Sequence, residues 1–141
     1  MDLNELRDDI HSSAVLKGFY DNEAFIELKL TKNEIKIYRH ILFAQRIALI
    51  HSELSEALEA DRKDKYPDKD LSLKLNKKDF IGFTWMSNFE EEIKNTVSDE
   101  LSDIILRVFD LCGWLDIDIQ THIELKMKYN KQRGYKHGKN Y

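Results

Sequence analysis

The chain predicts an all-α protein, a helical bundle of about four to five helices. Three observations carry that expectation. A single proline, Pro67, stands in 141 residues, and the stretch from Ile35 to Leu58 has neither proline nor glycine. Apolar residues recur at helical spacing in two long segments. One is Val97, Leu101, Ile104, Ile105, Val108, Leu111, Cys112 and Leu115. The other is Ile35, Tyr38, Leu42, Phe43, Ile47, Ile50, Leu54, Ala57 and Leu58. Finally, 34% of the residues are charged, which suits helices with solvated outer faces. A chain of this length is most simply one domain, residues 1–141, with enough surface to bury for one core.

Taken in order, Asp2 to Lys17 reads as a first helix capped by Asp2 or Asn4, with Leu3, Leu6, Ile10, Ala14 and Leu16 as a loose stripe. Gly18 ends it, and Asp21-Asn22 is a turn or cap signal. Ala24 to Leu30 is helix or irregular. Thr31 or Asn33 caps a long second helix running to about Asp61. Asp61 to Asp70 is a charge run expected to be a loop. Leu71 to Asn95 is the least readable stretch. Its aromatic residues Phe80, Phe83, Trp85 and Phe89, around Gly82, are read first as core or subunit contact. Asn95, Thr96 or Ser98 caps the helix of the Val97–Leu115 stripe. Gly113, within that stripe, either permits close helix packing or begins the helix end. Asp116-Ile117-Asp118 is a turn and cap. The last helix then starts at Ile117 or Asp118 and runs to about Gln132, with Ile119, Ile123 and Met127 inward, joined by Tyr129 or Asn130.

The composition excludes several classes. A net charge of -4 offers no footprint for duplex nucleic acid, although Lys126, Lys128, Lys131, Arg133, Lys136 and Lys139 make the last stretch basic. No apolar run approaches a membrane span, and no signal peptide is visible. The lone Cys112 lies on an apolar stripe and reads as a small buried hydrophobe. A cytoplasmic protein is expected.

The chemistry centres on carboxylates. Glu53 with Glu56, and Glu100 with Asp103, are i, i+3 pairs, so each puts two carboxylates on one helix face. Glu100 and Asp103 flank an apolar stripe, where an uncompensated charge is costly. One such pair is ordinarily plain surface; two beside apolar seams are less easily dismissed. If the two helices pack antiparallel, the four carboxylates repel, and a hard divalent cation such as Mg²⁺ or Mn²⁺ neutralises them. A di-iron centre is disfavoured because neither pair has a histidine at i+3. Mg²⁺ so held keeps positions for water and phosphate oxygens, which implies phosphoryl chemistry. Lys126, Asn130 and Arg133 share one face of the last helix. Lys and Arg suit phosphate oxygens and Asn a sugar or base edge, although alone such a face is an ordinary solvated helix end. Arg107 and Asp110 extend the Glu100–Asp103 face and read as a structural i, i+3 ion pair.

Three motifs now stand in order: Ile50-His51-Ser52-Glu53-Leu54-Ser55-Glu56-Ala57-Leu58-Glu59, the run from Asp99 to Leu111, and the run from Lys126 to Gly138. Together they resemble the MazG-like nucleotide pyrophosphohydrolases of the all-α NTP pyrophosphatase superfamily. The resemblance covers most of the chain from Ala44 to Gly138, and Lys17-Gly18-Phe19 is similar to a family N-terminal pattern. It implies an oligomeric bundle, a homodimer or homotetramer, that hydrolyses a nucleoside triphosphate to monophosphate and pyrophosphate with Mg²⁺. Carried over, Glu53, Glu56, Glu100 and Asp103 are the metal ligands and catalytic carboxylates, with one of them or Asp99 orienting the water. Lys126, Asn130, Arg133 and Lys136 are the substrate contacts. Residues 61–95, charged then aromatic, form an insertion longer than in compact family members, so no role transfers to it; its aromatic segment, residues 79–89, is expected either to cover the base pocket or to form a subunit contact. The competing reading is a non-catalytic helical interaction or regulatory module of the same fold.

Overall fold

The computed structural model describes residues 2–75 and 83–134, without the side chains of residues 83 and 84. Seven helices follow one another, and no strand occurs among the described residues. They are α1 (Leu3–Leu16), α2 (Asp21–Glu27), α3 (Lys32–Arg62), α4 (Lys69–Leu75), α5 (Phe83–Glu92), α6 (Val97–Trp114) and α7 (Ile119–Gln132). The all-α expectation holds, and the helix count exceeds it. The excess comes from α2, α4 and α5, each only seven to ten residues long. Elements this short carry too few turns for a periodicity to be read. No helix among the described residues is long and apolar enough to cross a membrane.

Local chemistry sets the helix ends. Asp2 caps α1, its carboxylate accepting from the Asn4 and Glu5 amides, and Gly18 turns the chain at a φ of +83°. Thr31 and Glu34 form a reciprocal capping box at the start of α3. Lys69 and Asp70 belong to α4, so the charge run is helical at its end. At α6, the Thr96 hydroxyl accepts from the Asp99 amide while the Asp99 carboxylate accepts from the Asn95 amide. Asp118 caps α7 by accepting from the Thr121 amide, and it also accepts from the Asn4 side chain. These bonds pull the Asp118 carboxyl down to about 2, with the Asn4 contact the largest cause.

The helices fall into two compact units. One comprises Met1–Lys29 with Phe109–Tyr141, the other Leu30–Val108. In the first, α1 packs on α7, and the Leu3 amide donates to the Gln120 side chain. Its buried apolar residues are Phe109, Leu111 and Cys112 of α6. Gly113 lies so close to α1 that an added Cβ would stand 2.5 Å from the His11 Cβ, which decides for close packing. Burial also raises the Cys112 thiol pKa, as befits a packing residue. On α7, Ile119 and Ile123 are partly buried, and of the alternatives Tyr129 and Asn130 it is Asn130 that turns inward, whereas Met127, expected inward, is exposed.

In the second unit α4 packs against α5, the Trp85 indole donates to the Leu75 carbonyl, and Trp85 stacks on Phe89. Phe80 and Gly82, and the side chain of Phe83, lie outside the described residues. The face that α3 and α6 bury is rotated from the expected stripe. Glu53, Ala57, Ala60 and Glu100 are buried, while Leu54, Leu58, Leu101 and Ile105 are each 46–53% exposed. Along these two segments Glu53 and Glu100 point inward and Leu54, Leu58, Leu101 and Ile105 outward, while Glu56 and Glu59 stay exposed.

Candidate metal centre

The inward turn of those acids builds the site. α3 supplies Glu53, and α6 supplies Glu100 and Asp103 one helical turn apart. One carboxylate oxygen from each lies within 4.8 Å of the others. Glu53 and Glu100 are 6% and 4% exposed. Charges this well buried need compensation. Glu53 receives it from Arg107, whose Nε donates to Glu53 Oε1 at 2.6 Å with Nη2 also 2.6 Å from that oxygen. Both contacts end on Oε1, so Oε2 keeps its lone pairs for another partner.

This corrects the expected Arg107–Asp110 pair. Arg107 reaches across to Glu53, and Asp110 bonds His11 and Tyr20 instead. The physical reason is burial. An exposed i, i+3 pair contributes little, whereas leaving the Glu53 carboxylate unpaired in a dry environment is expensive. Arg107 is therefore a site residue that sequence reasoning passed over. The signal was available: Glu100, Asp103 and Arg107 are spaced i, i+3, i+7 on one face of α6.

Glu100 has no such relief. Its pKa is pushed up to about 6, first by burial and then by the charges of Glu56, Asp99, Glu53 and Asp103. Asp103 is also raised, by burial and then by Asp99 and Glu53, with Arg107 opposing. Glu56 stands outside the close trio but borders, with Glu100, a depression of about 230 Å³ also lined by Lys63 and Lys65.

The donor set is all carboxylate oxygen, carries excess negative charge and holds neither histidine nor cysteine, so it fits a hard divalent cation such as Mg²⁺ or Mn²⁺. Glu53, Glu100 and Asp103 would hold the ion, with Glu56 at the margin.

The expected substrate contacts divide. Lys126, Asn130 and Arg133 belong to the other unit, on α7 and at its C-terminal cap. The Lys126 ammonium and Arg133 guanidinium lie 5.3 and 5.6 Å from the centre of the Tyr129 ring, so the basic stripe converges on an aromatic side chain. Lys136 lies outside the described residues. No family model matches this chain, nor does any curated protein or solved structure.

Proposed function

We propose that this protein is a Mg²⁺-dependent nucleoside triphosphate pyrophosphohydrolase. It would convert a (d)NTP and water to the monophosphate and pyrophosphate, in house-cleaning of the cytoplasmic nucleotide pool. The observation that carries the reading is the convergence of Glu53, Glu100 and Asp103 within 4.8 Å, with Glu53 and Glu100 buried. The order of the three motifs, with its resemblance to MazG-like enzymes, supports the same reaction.

A bound divalent cation supplies charge neutralisation for the phosphates and acidifies water. The chain's own residues do the rest. Arg107 fixes the Glu53 carboxylate so that its free oxygen is aimed rather than mobile. One carboxylate of the trio, or Asp99 held by the Asn95 amide, accepts a hydrogen bond from the attacking water and orients it. The water oxygen bonds to the α-phosphorus as its proton passes to that carboxylate and on to solvent, the bond from that phosphorus to the bridging oxygen breaks, and pyrophosphate leaves. Lys126, Arg133 and Lys136 are proposed to bind phosphate oxygens and Asn130 the sugar or base edge.

The enzyme is further proposed to be a homodimer or homotetramer. Ile37 and Ile41 of α3 are 61% and 60% exposed, and with Leu54, Leu58, Leu101 and Ile105 they leave an apolar surface suited to a second copy. These exposed residues are also what favours the second reading, an interaction module without chemistry. A product assay with a panel of NTPs and dNTPs separates the two. Mg²⁺-dependent pyrophosphate and monophosphate from the wild type, absent in Glu53→Gln, establishes the reaction. Orthophosphate would place attack at the terminal phosphorus, and no product at all favours the interaction module.

A further inference from the structure

Beside the carboxylate trio, within the same unit, lies an open cleft of about 740 Å³. Its size falls in the range of small-ligand pockets, about 300–1,000 Å³. Tyr66, Pro67, Leu73, Phe89 and Ile93 line it, so much of its wall is apolar and aromatic. Its polar edge comes from α6, where Asp99, Ser102 and Asp103 line it. Asp103 therefore belongs both to the carboxylate trio and to the lining of this largely apolar cleft. A ligand spanning the two has a polyanionic end and a flat apolar end.

The hydrogen-bonding groups of the cleft narrow the choice. Ser102 donates its hydroxyl proton to the Ser98 carbonyl at 2.7 Å, and Ser72 donates its own to the Asp68 carbonyl at 2.9 Å. Their oxygens are left as acceptors. Asp99 and Asp103 accept when ionised. Among the described lining residues the Lys69 ammonium and the Ser98 hydroxyl remain as donors, fewer than the acceptors. An acceptor-rich edge suits a ligand that presents N–H donors, as carboxylates suit the amino group of cytosine.

We infer that the cleft formed by Tyr66, Leu73, Phe89 and the Asp99–Asp103 edge of α6 binds the nucleobase of the substrate, and selects a base carrying an exocyclic amino group. The inference rests on the proposed nucleotide reaction for its meaning, but its test does not need turnover. On this reading Tyr66, Leu73 and Phe89 of the charged and aromatic stretch build the base-recognition wall.

Free cytidine, adenosine, uridine and thymidine are the probes, with binding read by ligand-observed saturation-transfer NMR on the full chain. Cytidine or adenosine should bind the wild type at least about tenfold more tightly than uridine and thymidine, because an acceptor-lined site leaves keto edges unpaired. Leu73→Arg and Ser102→Phe, both at exposed positions that leave the fold intact, should weaken that binding at least about tenfold and raise the nucleotide KM, while the Mg²⁺-induced rise in melting temperature stays. Nucleosides that bind to a protein releasing no pyrophosphate would uphold the cleft and sink the reaction. Pyrophosphate release with a KM unmoved by both variants would uphold the reaction and overturn the cleft. Equal binding of uridine and cytidine would overturn the selectivity, and no nucleoside binding at all would overturn the inference outright.

Discussion

Helix α6 carries buried or half-buried acids in both units, and the two sets are handled in opposite ways. Asp110 is fully engaged: His11 Nδ1 lies 2.7 Å from one carboxylate oxygen, and the Tyr20 hydroxyl donates to the other at 2.7 Å. His11 and Tyr20 also meet edge to face at 4.9 Å. That cluster ties α1 and the turn before α2 to α6, and nothing in it asks for a ligand. Ten residues earlier, Glu100 is surrounded by other carboxylates and pushed up to about 6. The comparison teaches that burying an acid is not itself a mark of function. What distinguishes Glu100 from Asp110 is charge left over after the protein's own partners are counted.

Substitutions can break that contrast. The largest expected effect is on turnover: Glu53→Gln and Glu100→Gln should each lower pyrophosphate release at least about 100-fold with the helical circular dichroism unchanged. Near-normal activity in either would remove the assigned centre. Next, Asp110→Ala leaves His11 and Tyr20 without their acceptor and should cost about 2 kcal/mol in urea unfolding. Gly113→Ala gains helix propensity but drives a methyl into the His11 Cβ, so a net loss of about 1 kcal/mol is expected in the same measurement.

The pH dependence sharpens the comparison further. Glu100 has a folded-state value of about 6 against an ordinary 4.5, so between those values the native chain holds a proton that the unfolded chain has released. Its contribution to stability is therefore greatest below about pH 4.5, falls as pH rises to about 6 and is level above that. Asp103 acts in the same direction. Asp118 acts oppositely: lowered from 3.8 to about 2, it stabilises above its unfolded value and loses that contribution as pH falls toward 2. Metal-free melting temperatures should thus fall between about pH 4.5 and about pH 6, and Glu100→Gln should flatten that fall.

Much of this architecture was legible from residues alone. Thr31, one of the two caps the sequence offered with Asn33, marks the start of α3, the periodicity from Val97 onward announces α6, and the two E-x-x-acid elements announce the trio. The misread parts have a common cause. Periodicity shows that Leu54, Leu58, Leu101 and Ile105 share helical stripes, but not whether a stripe faces the chain's own core or open surface. Arg107 and Asp110 invite pairing because i, i+3 neighbours are visible in a sequence, whereas Glu53, His11 and Tyr20, 54 to 99 residues away, are not. The cleft was foreshadowed only as one of two roles open to the aromatic segment that contains Phe89; its full lining was not legible, because Tyr66, Leu73 and Phe89 come from separate short segments that only folding brings beside Asp103.

The central claim, that the leftover charge at Glu100 awaits a divalent cation, is tested most directly by thermal melting at neutral pH with and without Mg²⁺ or Mn²⁺. The wild-type melting temperature should rise with metal concentration by mass action. Glu100→Gln should start higher in the absence of metal, because a like-charge repulsion is gone, and should respond weakly or not at all. A wild type indifferent to both ions, or a Glu100→Gln protein that gains as much from them as the wild type, would contradict the account.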